Sequence, residues 1–465
     1  MTVISSTLSS NWTTLLLVAL PALPTLAVLA FGVMRWATGK RAEERVVGTI
    51  INAAFVGTAL ASALLALQLF LTGSLAIEAN MGDWFSLGHY HFPWRLRGDR
   101  LSLPFALFSS VLVGVIATFS RKYLHREEGF QRFYLLLGLF GAGVELVVLA
   151  GSLDLLFFGW ELVGIASALL IAFFHDRPKP VEHALRAFVT YRACDVGLLA
   201  AIVWTHASAG GAALDFMGAG MRWPGIVVPG DPRDALIVAF LLLWASIGKS
   251  AQIPLGGWLP RAMEGPTPSS AIFYGAISVH LGPYLLLRSA PVLAAAPAAA
   301  WAVVAVGALT ALHATFVGRV QTDIKSALAY ASMTQLGLIF VEIGFGFQLL
   351  ALVHIVGHAS IRSLQILRSP SLLHDHQHLE QAMGQQLPRT GGHLERLVPA
   401  MLQPWLYRHA LERGYFDALL TDWVIEPFYR TFRGLDQIES RFEDWAGGES
   451  EAPDPISRLD LLEQR

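Results

Sequence analysis

The chain has 465 residues, of which 54% are hydrophobic and 15% charged, with a formal net charge of −2. Soluble domains carry about 25% charged residues, so this composition describes a protein that resides in a bilayer. A single cysteine, Cys194, excludes an internal disulfide framework, and the absence of long basic runs argues against nucleic acid as a partner.

A bilayer core takes about 20 mostly apolar residues per helix. Eleven stretches meet or approach that length: 12–36, 46–72, 101–119, 133–150, 154–174, 187–206, 234–256, 267–288, 292–317, 327–346 and 347–367. The first reads as a retained span: it lacks a basic start and an Ala-x-Ala site, and it closes on Trp36, Lys40 and Arg41. Residues 1–98 then hold two spans and an external loop, and 99–367 hold the rest of the core. Loops after odd-numbered spans carry the larger share of basic residues (Lys40, Arg41, Arg121, Lys122, Arg177 and Lys179 among them), which predicts an outside N-terminus and a cytoplasmic C-terminus.

From residue 368 a polar linker runs to 397, opening near His374-Asp375-His376-Gln377-His378. Alternating histidines in such a setting read more readily as a solvated run than as a metal site. Within 398–446, Phe416, Leu419, Leu420, Trp423, Val424, Phe428 and Phe432 recur at helical spacing opposite Asp417, Asp422, Glu426 and Arg430. That predicts an amphipathic helix, kinked at Pro427, lying on a membrane surface or a partner. Its acidic face disfavours an anionic leaflet, so Phe416, Leu420, Trp423, Phe428 and Phe432 are expected to dock a protein. The acidic tail, 447–465, is expected to be disordered.

Ionisable residues inside apolar spans carry the functional signal, because burying them costs at least a few kcal/mol. They are Glu145, Glu161, Arg192 with Asp195, Lys249, His280, Glu342, and the set His354, His358 and Arg362. The last three, at i, i+4 and i+8, share one helix face. Arg192 and Asp195, at i and i+3, read equally as a structural ion pair or a functional one. Gly248-Lys249-Ser250 runs into Gln252-Ile253-Pro254, the pattern of a broken helix that lines a cavity or ion site. Acid, lysine and histidines together suit a proton relay. Haem ligation by His280, His354 or His358 is a weaker alternative, and the chain shows no catalytic motif of its own.

Several motifs resemble the antiporter-like subunits of respiratory complex I. Gly159-Trp160-Glu161-Leu162-Val163-Gly164 resembles their fifth helix. Gly248 to Leu255, followed by Gly265-Pro266-Thr267-Pro268, resembles the broken seventh helix and the start of the eighth, and Gln321 to Tyr330 the entry to a broken tenth. The likeness is greatest to the large subunit called L or 5 and to multisubunit cation/proton antiporters. Gly414-Tyr415-Phe416-Asp417 through Phe428 is similar to the start of that subunit's lateral helix. The resemblance implies an all-α polytopic membrane fold with broken helices 7 and 10 and an antiporter-like repeat. It also implies a proton path in which Glu161 and Lys249 pair, Asp195 and Arg192 bias the glutamate, Asp323 and Lys325 mark the tenth helix, and His354 and His358 continue on the eleventh. Arg362 stands where the family has a lysine. Tyr274 replaces the family's eighth-helix histidine, while His280 lies six residues on, which in a regular α-helix is another depth and nearly the opposite face. A twelfth-helix lysine is absent.

Three functions fit these motifs. The chain resembles a proton-pumping complex I subunit, a cation/proton antiporter component, or the membrane subunit of a two-component inorganic-carbon transporter of a bacterial inner membrane. The shortened core and the stretch Arg362 to Pro370 favour the third. That resemblance implies a large cytoplasmic carbonic-anhydrase-like partner, with zinc in the partner and no cofactor in this chain.

Overall fold

A computed structural model describes residues 2–88, 90–208, 223–226, 228–383 and 398–447, with side chains described outside 2–11, 370–380, 382 and 444–447. In lipid each backbone polar group must find its partner within its own segment, so the apolar runs become helices. Two long helices, α1 (Thr2–Thr38) and α2 (Glu44–Thr72), precede a β-hairpin of β1 (Ala76–Leu87) and β2 (Tyr90–Asp99). Then come α3 (Ser102–Tyr123), α4 (Phe130–Leu149), α5 (Leu153–Ile171), α6 (Pro178–Ser208) and α7 (Pro232–Lys249). Among the described residues, ten helices are long and apolar enough to cross a membrane. The expected span 234–256 is outside that set: α7 holds Arg233, Asp234 and Lys249 and ends where the chain breaks.

The hairpin corrects the expectation of a loop at 76–99. Ala76 pairs with Asp99 and Leu87 with Tyr90, across the turn at Gly88. Its stability comes from rings: Phe85 and Phe92 stack at 5.5 Å, and Trp84 meets Phe92 edge-on at 5.5 Å. Leu96 bridges to Ala150, which fastens the hairpin to the junction of α4 and α5.

Past α7, short helices α8 (Trp258–Arg261) and α9 (Thr267–Ser270) lead into a wide turn at Ala271–Ala276. There the Ile277 amide reaches back five residues to the Ile272 carbonyl, at 2.8 Å. A tight turn, Ser278–His280, then opens α10 (Leu281–Arg288), followed by α11 (Ala290–Ala295), α12 (Pro297–Arg319) and α13 (Ile324–Gly344). The irregular spans are thus the seventh and eighth. The tenth, α13, is a single uninterrupted helix, contrary to the expected break.

Helix α14 (Gln348–Met383) carries the eleventh span onward through 374–378, so the first part of the expected linker is helical. The remainder of the linker, 384–397, and the tail from 448 lie outside the described residues, as do the side chains of the His374–His378 run. The C-terminal segment comprises α15 (Gln403–Leu411), α16 (Phe416–Leu420), a wide turn at Thr421–Ile425 and α17 (Glu426–Gly447). It is not one helix kinked at Pro427. It turns at Gly414 and Tyr415, both left-handed, and again at the wide turn.

Candidate functional site

Two polar clusters occupy the core. The first forms where α5, α6 and α7 meet. Helix α5 starts from Ser152, whose hydroxyl accepts from the Leu155 amide, and packs tightly on α4 through Gly159. A Cβ at Gly159 would lie 2.7 Å from the Val147 amide nitrogen, so only glycine allows this approach. The next two residues, Trp160 and Glu161, then face α6. Arg192 forms an ion pair with Glu161 and a second, at 3.0 Å, with Asp195. Trp160 Nε1 donates to Asp195 Oδ1 at 2.5 Å.

Lys249 is the last residue of α7 and is buried. The Trp258 indole donates to the Gly248 carbonyl at 3.1 Å, satisfying one of the groups left open where the helix ends. Pro254 has no amide to extend the helix, and the Ile253 amide donates instead to Thr310 Oγ1 at 3.1 Å. The ammonium donates to the Trp160 carbonyl at 3.0 Å and lies 4.9 Å from the Trp160 and Tyr191 ring centres. Its attraction to these rings is a cation–π contact that grows as water is excluded. Gly164 keeps this space open: a Cβ there would lie 3.0 Å from Arg192 Nη2 and 3.3 Å from Lys249 Nζ. Two acids and two bases share the pocket, so it is charge-balanced. The implied Glu161–Lys249 ion pair is absent among the described residues. Arg192 takes the glutamate, because it reaches across from α6 while the lysine is held by Trp160.

The second cluster joins the wide turn to α14 and α13. His280 Nε2 and His358 Nδ1 lie 3.0 Å apart, and the other His280 nitrogen bonds to the Ala276 carbonyl. One turn along α14, the His354 ring lies 6.4 Å from that of His358. His354 in turn bonds Glu342 Oε1 at 2.8 Å and Gln335 Oε1 at 3.0 Å. His280 is thus joined to His358 of α14. The α-helical estimate of its face does not apply here, because residues 271–280 are wide and tight turns rather than α-helix. Two nitrogens on opposite faces of one haem iron would stand about 4 Å apart, so the 3.0 Å pair is a hydrogen bond and not an axial pair.

The clusters approach each other at Gly282, which leaves room for the Ser250 hydroxyl and the Ser246 carbonyl. Ser250, next to Lys249, thus meets a residue two positions from His280. Around this approach, Tyr191, Tyr274, Ser250, Gln252 and Ser278 each hold a buried polar atom with no protein partner among the described residues. Polar atoms of this kind are satisfied by water rather than by hydrocarbon.

Other expected site residues sit elsewhere. Glu145 is buried and accepts from Ser109 Oγ at 2.8 Å, apart from both clusters. Asp323 caps α13 by accepting from the Ser326 amide, and Lys325 reaches the Met263 carbonyl at 3.4 Å. Both are end-of-helix contacts, as expected of an acid at an N-cap. Arg362 is buried on α14, one turn beyond His358. Of the expected docking residues, Trp423 and Phe432 are exposed, whereas Leu420 is buried and Phe416 packs on His313 at 5.1 Å. Phe428 packs partly against the core. Asp417, assigned to the solvent face, is instead held by Arg186, Arg261 and Arg413.

Sequence reasoning missed Trp160, Tyr191 and Gln335. Trp160 adjoins Glu161 within a motif, and Gln335 precedes Glu342 by two helical turns on one face, so both had a spacing signal.

A family model described as "NADH:quinone oxidoreductase/Mrp antiporter, TM" matches residues 150–394, and one for the "NADH-Ubiquinone oxidoreductase (complex I), chain 5 N-terminus" matches 84–134. The chain is 35% identical over 352 residues to NADH-quinone oxidoreductase subunit L of Escherichia coli K12, covering 75% of this chain and 56% of that protein. It is 34% identical to NAD(P)H-quinone oxidoreductase chain 5 of Synechocystis, covering 70% and 48% respectively. The chain thus spans about half the length of these curated relatives. Among solved structures, a chain of the Mrp complex from Dietzia superposes with a TM-score of 0.62 at 29% identity, over 76% of this chain and 37% of that one. A chain of an archaeal membrane-bound sulfane sulfur reductase shares the fold, with a TM-score of 0.63 at 19% identity over 76% of this chain and 70% of that one.

Proposed function

We propose, since the chain belongs to the NADH:quinone oxidoreductase/Mrp antiporter transmembrane family, that it is a proton-translocating, antiporter-like subunit of a larger membrane complex. The observation that carries this reading is the pair of polar clusters within the core, a charge-balanced one of Glu161, Arg192, Asp195 and Lys249 and a second of His280, His358, His354 and Glu342, which approach each other at Gly282. Arg192 pairs with the glutamate, and Lys249, tethered to a backbone carbonyl and two rings, is the group that takes up and passes on a proton. The histidines carry it toward the hairpin end of the molecule, where Glu342 lies close to the end of α13. The basic loops at the opposite end put that end in the cytoplasm by the positive-inside rule, and a bacterial inner membrane is the expected location.

The inorganic-carbon reading, with a zinc-containing carbonic-anhydrase-like partner, rests on the stretch Arg362 to Pro370. The relatives named above are quinone oxidoreductase subunits and a Mrp complex, which favours a setting of that kind.

The test is proton flux into vesicles containing the chain with its native complex. Lys249→Ala is expected to abolish flux while the chain still inserts and co-purifies with its complex. Glu161→Gln should behave alike. Undiminished flux through Lys249→Ala rejects the reading.

A further inference from the structure

The C-terminal segment lies over the break in α7. Asp417, at the start of α16, is largely buried and receives Arg261 at 3.0 Å and Arg413 at 3.1 Å, with Arg186 at 3.6 Å. Arg186 also donates to the Asp417 carbonyl and to Thr421 Oγ1, both at 2.9 Å. These contacts tie the segment to α6 and α8. On the other side of the carboxylate is Gly257, within the loop that follows Lys249: any side chain there would run into Asp417. Phe416 lays its edge on His313 of α12. The space left between loop and segment is a cavity of about 10 Å³, lined by Pro254, Gly257, His313, Tyr330, Phe416 and Asp417. That is about the size of a single water, so the seated segment narrows the approach to the loop from this side, where Pro254 remains exposed.

We propose that the C-terminal segment is a removable cover on the proton path, and that Asp417 is the latch that keeps it closed. The inference rests on the proposed proton-conducting role. The loop from Ser250 to Gly257 is the stretch through which water from the basic end would approach Lys249, and the segment sits on it. The carboxylate bonds Arg261 of α8 and Arg413 of the segment itself and faces Arg186 of α6 at 3.6 Å, so its removal leaves only the Arg186 bonds to the 417 carbonyl and Thr421 to hold this end of the segment. Leu420 and Ile425, buried beneath the segment, supply the apolar part of the seat. Asp417 acts through the segment and is a positioning residue; it passes no proton itself.

Met333 lines the same cavity and is buried, which makes Met333→Cys a reporter of the cover. The full chain in vesicles is treated with a water-soluble, membrane-impermeant thiol reagent, and proton flux is measured in parallel. The chain without Met333→Cys sets the background from buried Cys194. Asp417→Ala is expected to raise labelling about tenfold, the factor produced by losing a charge-assisted contact. Flux should rise with it and be abolished in Asp417→Ala/Lys249→Ala. A His313→Cys/Phe416→Cys pair, joined by oxidation, should suppress both signals until reduced, which covers the case in which Asp417→Ala misfolds. Unchanged labelling in Asp417→Ala overturns the latch. Raised labelling with wild-type flux, or a flux increase that survives Lys249→Ala, overturns the cover's role. Absence of flux from every form, native complex included, overturns the conducting role instead, while the labelling still decides whether Asp417 holds the segment.

Discussion

At the residue scale, Arg192 organises the central cluster. It bridges Glu161 and Asp195, which the sequence places on different helices. The i, i+3 spacing made the Arg192–Asp195 half of that bridge legible; the inter-helix half was not, since no spacing rule connects α5 to α6. Removing Arg192 leaves Glu161 and Asp195 without their common partner in a partly buried network, so Arg192→Leu is expected to destabilise the fold by up to about 3 kcal/mol. Trp160→Phe keeps the ring over Lys249 and loses only the bond to Asp195, at about 1–2 kcal/mol. Thermal unfolding in detergent ranks the two; equal losses would show that Arg192 is solvated rather than essential. His280 and Tyr274 make the second comparison. His280→Ala interrupts the hydrogen-bonded chain to His358 and should slow proton flux at least about tenfold. Tyr274→Phe should leave it nearly unchanged, and the reverse ranking would move the relay to position 274.

At the element scale, the hairpin is fastened by Asp99. This carboxylate, fully buried, accepts from the Leu101 and Ser102 amides and faces Arg288 at 2.5 Å. Burial alone would raise its pKa, but Arg288 and these donors outweigh it and hold the carboxyl below its usual value. A depressed native pKa gives stability that is complete above the unfolded value, about pH 4, and is lost as pH falls through the lower native value. Acidification below about pH 4 should therefore release the hairpin, seen as a change in Trp84 and Trp94 fluorescence. Asp99→Asn should show a less stable hairpin with no such acid transition. The hairpin itself escaped the sequence because a search for apolar runs has no sensitivity to strands whose partners are the ring ladder of Trp84, Phe85, Tyr90 and Phe92. The membrane spans were legible from length and apolarity. Position 417 was misplaced because a single helical wheel was drawn through 416–432, where the chain changes turn width at Thr421–Ile425.

At the scale of the whole molecule, the inward-facing Leu420 and Phe416 and the outward-facing Trp423 and Phe432 divide the C-terminal segment into a seat and a free face. Exposed Leu435 and Ile438 extend that face along α17. An apolar stripe flanked by acidic side chains suits a protein surface better than an anionic leaflet. Removing residues 398–465 should leave a core that still inserts, because all ten candidate spans precede the cut. That core should no longer retain its partner on co-purification in detergent. Undiminished partner recovery would confine the segment's role to the core beneath it.

The wide turn at Ala271–Ala276 also has a meaning for heredity. In an ordinary helix each residue advances the face by about 100°, so a station can be exchanged only at its own position or a full turn away. A wide turn resets that phase, and here it lets position 280 meet His358. A lineage can therefore lose a histidine at one place and regain its partnership six codons later without redrawing the neighbouring helices. The same freedom makes the stretch intolerant of length changes: deleting one codon within 271–276 would swing His280 about 100° from His358 and draw Arg288 away from Asp99, two injuries that no single substitution there would inflict.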